Sequence, residues 1–184
     1  SSPVTTSALP NVILDNGTLT ATGAITMTGA RRIEIRANGT LNANLSGGTS
    51  LSIGGGSSVT LANNFASLNT SGDLVVTGNN GATNSTLRAE GVGRNIIVGR
   101  DFLLQSPAVA DFDDGTAGND GRLVVCRDWS NTGGTWLPGN GTCEFLTSAA
   151  KTISNSSGTT SFYNLYINAS GGVAINPATN PTNV

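Results

Sequence analysis

Apolar residues in this chain recur two apart in short runs. "TLTATG", "AITMTG", "RRIEIRA", "TLNANLSG", "SLSIGG", "SVTLAN" and "DLVVTGNN" all show the spacing. A period of two places Leu19 with Ala21, Ile33 with Ile35, Leu51 with Ile53, and Val59 with Leu61 on one face of a strand. Thr, Ser, Asn, Arg and Glu fall on the other face. Gly, Asn-Gly and Ser-Gly separate the runs and supply turn conformations. No segment carries a capped 3.6-residue apolar stripe, and "NNFASLN" offers one short helical turn at most. The pattern predicts an all-β chain.

Two architectures use many short, evenly spaced strands. A β-sandwich needs hairpins and a core with several aromatic residues. A parallel β-solenoid needs Gly or Asn corners and small aliphatic side chains stacked rung on rung. Aromatic residues make up 5% of the chain, and Phe65 alone precedes Phe102. Related pieces return after about twenty residues, as in "NGTLTATG" at 16 and "NGTLNANL" at 38. The sequence therefore favours the parallel β-solenoid (β-helix), with the sandwich as the alternative. At roughly 18–22 residues per turn and about 4.8 Å per rung, it would form eight to ten turns over roughly 40–50 Å. The expected division is an extended N-terminal segment at 1–12, a solenoid at 13–175, and an extended tail at 176–184. "SPAVADFDDGTAGND" breaks the rhythm and predicts an extruded loop at 105–120.

Composition narrows the partners. Charged residues make up 11% of 184, and the net charge is -2, so nothing points to nucleic acid. No run of about 18 apolar residues is present, so membrane insertion through a helix is not expected. "SSPVTTSALP" lacks the basic and apolar regions of a signal peptide, which suggests a mature form or a fragment. Small polar residues dominate, Lys151 is the one lysine, and histidine is absent. With two cysteines besides, this composition suits an extracellular or cell-surface location.

The stretch "GRLVVCRDWSNTGGTWLPGNGTCEF" at 121–145, followed by "KTISNSSGTTSFYNLYINASGGVAI" at 151–175, resembles a module repeated in large secreted bacterial surface proteins. Those modules run through a Gly-led strand, an aromatic residue beside Asn, a Gly-Gly-Thr-aromatic step and a Pro-Gly-x-Gly turn. A Val-x-Phe strand and a "TFYNL" strand follow. The matching positions are Leu123, Val125, Trp129, Gly133, Gly134, Trp136, Pro138, Gly139, Gly141, Phe145, Ile153, Phe162, Asn164, Leu165 and Ile167. The resemblance covers about a third of the chain and departs from the pattern at Cys126 and Cys143. It implies a β-solenoid adhesin or cell-surface scaffold rather than an enzyme.

Candidate chemistry is sparse. Cys126 and Cys143 lie close to one turn apart and on adjacent rungs would close a disulfide contributing about 3 kcal/mol. Alternation instead turns Cys143 inward and Cys126 outward, so bonded and unbonded states both stay open. Asp111, Asp113, Asp114 and Asp120, in "DFDDGTAGND", form a candidate calcium loop of oxygen ligands, although the spacing is not that of an EF-hand. The alternative is a solvated loop with Asp in turn positions. Glycoside or lyase chemistry needs paired carboxylates or a metal beside a base. Asp113 and Asp114 with Arg88, Arg94, Arg100 and Arg122 are a thin basis for that, and rung-to-rung ion pairs explain the arginines better. Thr-x-Thr pairs at 18–22 and 26–28 suggest an ice-binding array that the later strands do not continue. Eight Asn-x-Ser/Thr sequons permit glycan attachment in a host that glycosylates asparagine.

Neither terminus offers an amphipathic capping helix. The reading that follows is a non-catalytic, cofactor-free structural subunit of an extracellular filament or sheath. Its partners would be copies of itself joined head to tail, with the N-terminal strand exchanged onto the next subunit. The alternative is the stalk or glycan-binding segment of a large adhesin, and a β-helix carbohydrate-active enzyme stands third.

Overall fold

A computed structural model describes residues 11–15, 17–21, 25–27, 32–36, 40–43, 51–54, 57–61, 66–78, 84–89, 93–113, 115–116, 120–157, 160–176 and 182–183. The chain winds as a parallel β-solenoid with three strands to a rung. The first rung is β1 (Asn11–Asp15), β2 (Thr18–Ala21) and β3 (Ile25–Met27), and the second is β4 (Arg32–Arg36), β5 (Thr40–Ala43) and β6 (Leu51–Ile53). β7 (Ser58–Leu61), β8 (Ser67–Thr70) and β9 (Leu74–Val76) follow, then β10 (Thr86–Arg88), β11 (Asn95–Val98) and β12 (Phe102–Gln105). Next come β13 (Val109–Asp111), β14 (Arg122–Val125) and β15 (Trp129–Thr132), then β16 (Thr135–Leu137), β17 (Thr142–Thr147) and β18 (Lys151–Ser157). β19 (Thr160–Ser161), β20 (Asn164–Ala169) and β21 (Val173–Asn176) precede the short β22 (Thr182–Asn183).

Every third strand joins the same sheet. Sheet 1 runs β1-β4-β7-β10-β13-β16, sheet 2 runs from β2 to β20, and sheet 3 runs from β3 to β21. All the strand pairs are parallel, and β19 pairs with β22 in a small fourth sheet. Parallel stacking without a register shift places equivalent positions above one another. Ile25, Leu51, Leu74, Phe102, Trp129 and Ile153 therefore form one buried column on sheet 3. Leu41, Leu68, Ile96, Leu123 and Cys143 form another on sheet 2.

Sheets 2 and 3 are seven strands deep, fewer than the expected eight to ten rungs. Corners take up the difference, since side-chain bonds between neighbouring rungs join residues from 20 to 29 apart. The 105–120 segment also departs from expectation. Val109–Asp111 is a ladder strand between β10 and β16, and Ala108, Ala110 and Phe112 are buried. Two small alanines make room for large rings: Ala110 lies in register with Trp136. β22 falls within residues 176–184, and Asn11 and Val12 belong to β1. Residues 1–10, which hold most of the suggested exchanged strand, lie outside the described residues.

Aliphatic columns give way to rings midway along the rod. Trp129 stacks on Phe102 at 4.5 Å and meets Trp136 at 4.7 Å and Phe162 at 5.3 Å. Phe112 completes the group at 5.0 Å from Trp136. Edge-on and offset contacts of this kind add roughly 0.5–1.5 kcal/mol per pair beyond area burial. Among the described residues, no helix is long and apolar enough to cross a membrane.

Candidate functional site

The motif positions in 121–145 turn out to build wall. A side chain at Gly121 would place its Cβ 2.2 Å from the Ala89 carbonyl oxygen, so only glycine lets the rungs close there. Asn131 is buried, and its Oδ1 accepts the N–H groups of Gly133 (3.1 Å) and Gly134 (2.9 Å). Its Nδ2 donates to the Gly134 carbonyl and to Thr160 Oγ1. This one amide fixes the corner in which Gly133 adopts a φ of 98°. Trp136 donates from Nε1 to the Ser161 carbonyl at 2.9 Å.

The acidic segment serves the backbone in the same way. Asp111 Oδ1 accepts the Asp113 N–H, and Asp113 Oδ1 accepts the Gly115 N–H at 2.8 Å. Asp120 Oδ2 accepts the Asn140 N–H. Asp114 lies outside the described residues. Among the described residues no three His, Cys, Asp or Glu side chains group closely enough to hold a metal ion.

Neither cysteine is in a disulfide. The register explains why: Cys143 pairs with Leu123, and Cys126 lies three residues further along β14's path. That offset is about 10 Å along the strand, beyond the reach of a disulfide. Burial pushes the Cys143 thiol far up, reinforced by Glu144. Burial also raises Cys126, with Lys151 lowering it and Glu144 adding to the rise. Both shifts favour the protonated thiol over the thiolate.

The arginines pair between rungs, as expected for structural charges. Arg100 Nε lies 3.5 Å from Asp73, Arg127 Nε 3.4 Å from Asp101, and Arg122 reaches Glu144. The sequence reading missed the aspartate ladder behind the first two pairs. Asp101 N–H donates to Asp73 Oδ1, Asp128 N–H to Asp101 Oδ1, and Thr152 N–H to Asp128 Oδ1 at 2.8 Å. The visible signal was an Asp before an apolar residue at 73, 101 and 128.

Of the sequon asparagines, Asn155 is buried, Asn84 and Asn168 are exposed, and Asn16, Asn38 and Asn44 have no described side chain. Thr18 and Thr20 do continue across sheet 2, but as Thr40 with Asn42 and Ser67 with Asn69, ending at Ile97.

The last strands of sheets 2 and 3 leave apolar side chains exposed at core positions. Ile167 stands in register with buried Phe145, and Ile175 with buried Ile153, so both occupy core positions. Yet they are 49% and 48% exposed. Among the described residues, β20 and β21 end sheets 2 and 3, and no further strand pairs with their outer edges.

Comparison with known protein families, curated proteins and solved structures finds no match.

Proposed function

We propose that the chain is a structural subunit of an extracellular filament or sheath, joined end to end through the edge formed by β20 and β21. The observation that carries this reading is the half-exposure of Ile167 and Ile175, whose register partners in the preceding rung, Phe145 and Ile153, are buried. An apolar core cross-section beside unpaired strand edges is a template for strand addition. A second copy fits this edge in kind, because the columns continue across the joint. Leu123, Cys143 and Leu165 would be followed by another copy's Leu19 and Leu41, and Ile153 and Ile175 by its Ile25 and Leu51. Contacts of this kind do not close on themselves, so they propagate as open fibres. Small polar side chains, few charges and the absence of histidine fit a solvated extracellular wall rather than a catalytic surface.

Sedimentation of the wild-type chain and of an Ile167→Asp, Ile175→Asp double variant tests the proposal. The wild type is expected to form large species and the variant to remain a short rod with unchanged β circular dichroism. Equal sedimentation of the two as single rods contradicts it. The second reading, a segment of a large adhesin, is favoured by the exposed tyrosines Tyr163 and Tyr166, which end-to-end joining leaves uncovered.

A further inference from the structure

β20 presents a second kind of surface at right angles to the open edge. Leu165 and Ile167 continue the inward columns of Cys143 and Phe145, so Asn164, Tyr166 and Asn168 share the outward face. All three are exposed, Tyr166 to 58%, and Tyr163 stands at the preceding corner at 63%. Alternate residues of a strand lie about 6.6 Å apart, so an aromatic ring is flanked on each side by a carboxamide at that distance. Leu146, in register with Asn168, adds an exposed apolar neighbour.

We infer that this face binds neutral carbohydrate. A pyranose ring carries an apolar C–H face and a rim of hydroxyl groups that donate and accept hydrogen bonds. The phenol ring of Tyr166 suits the first. A carboxamide, holding one acceptor and two N–H donors, suits the second. Asn164 donates from Nδ2 to the Asn140 carbonyl at 3.0 Å, which anchors the exposed amide on this face. The surroundings are electrically balanced, because Glu144, in register beneath Tyr166, is paired with Arg122. An anionic or cationic ligand would find no unmatched charge there, whereas an uncharged sugar needs none. Exposed tyrosines between hydrogen-bonding side chains are not what a solvated wall requires. The site points away from the solenoid axis, so it holds whether or not copies join end to end.

Saturation-transfer difference NMR tests the inference, with cellohexaose, chitohexaose and mannohexaose as probes. At least one sugar is expected to receive saturation at its ring C–H protons. Tyr166→Ala should weaken that sugar's binding roughly tenfold, and Tyr166→Phe should retain it. Asn164→Ala with Asn168→Ala should weaken binding while the C–H transfer pattern persists. The Ile167→Asp, Ile175→Asp variant should bind like the wild type, which separates this site from the filament joint. Absence of transfer to all three sugars overturns the inference, as does transfer unchanged by Tyr166→Ala in a variant with native circular dichroism. Concentration-dependent pairing of chains that Tyr166→Ala abolishes, without sugar transfer, assigns the face to a second copy and also overturns it.

Discussion

Trp129 and Trp136 lie 4.7 Å apart in one cluster of rings but differ in a single bond. Trp136 Nε1 donates to the Ser161 carbonyl, whereas Trp129 Nε1 is buried without an acceptor among the described residues. An unmade buried hydrogen bond is costly, and losing a made one is costly too. Trp136→Phe should therefore cost about 1 kcal/mol more than Trp129→Phe, which removes ring area and an unsatisfied donor together. Urea unfolding of the two variants measures the difference, and equal losses would show that the Ser161 bond contributes nothing. A similar orphan explains where the amide ladder on sheet 2 stops. Asn69 donates to Asn42 Oδ1 at 2.9 Å, but its own Oδ1 is buried with no partner among the described residues, because Ile97 occupies the next rung. Ile97→Asn should extend the ladder and stabilise the chain by about 0.5–1.5 kcal/mol. A lowered unfolding midpoint would contradict that account.

At the level of the corner, the carboxylates of Asp73, Asp101 and Asp128 each take the N–H of the next rung. The arginine pairs alongside are exposed and contribute little, under about 1 kcal/mol each. Asp101→Asn keeps an acceptor oxygen and should lose well under 1 kcal/mol, while Asp101→Ala should lose about 1–2 kcal/mol. Equal losses, both abolished in high salt, would assign the corner to the ion pair instead.

This corner also marks where sequence reasoning ran out. Strands with strict alternation, such as those around Ile33 and Ile35 or Val59 and Leu61, were legible because their buried and exposed positions differ in kind. β13 was not, because its inward residue is Ala110 and its neighbours include turn-forming aspartates. The ladder aspartates were visible singly, but their partners lie 24, 27 or 28 residues away across corners of variable length. The suggested disulfide depended on register, which spacing alone does not set. Tyr163 and Asn164 lay in the "SFYNL" stretch that carried the resemblance, and only the register shows Asn164, Tyr166 and Asn168 pointing outward together.

Across the whole molecule, each rung touches only its neighbours, so stability accumulates rung by rung and the ends are the weakest points. The rings run from Phe102 in β12 to Phe162 just before β20, while the columns that end at Ile167 and Ile175 reach the open edge with aliphatic side chains. A joint between two copies would thus resemble an ordinary interior rung in side-chain size. The most direct test of that joint is electron microscopy of the purified chain with and without residues 1 to 12, read for fibres and for an axial spacing of about 4.8 Å. Uniform fibres with that spacing, absent after the truncation, are the expected result. Short, monodisperse rods from both chains would contradict the filament.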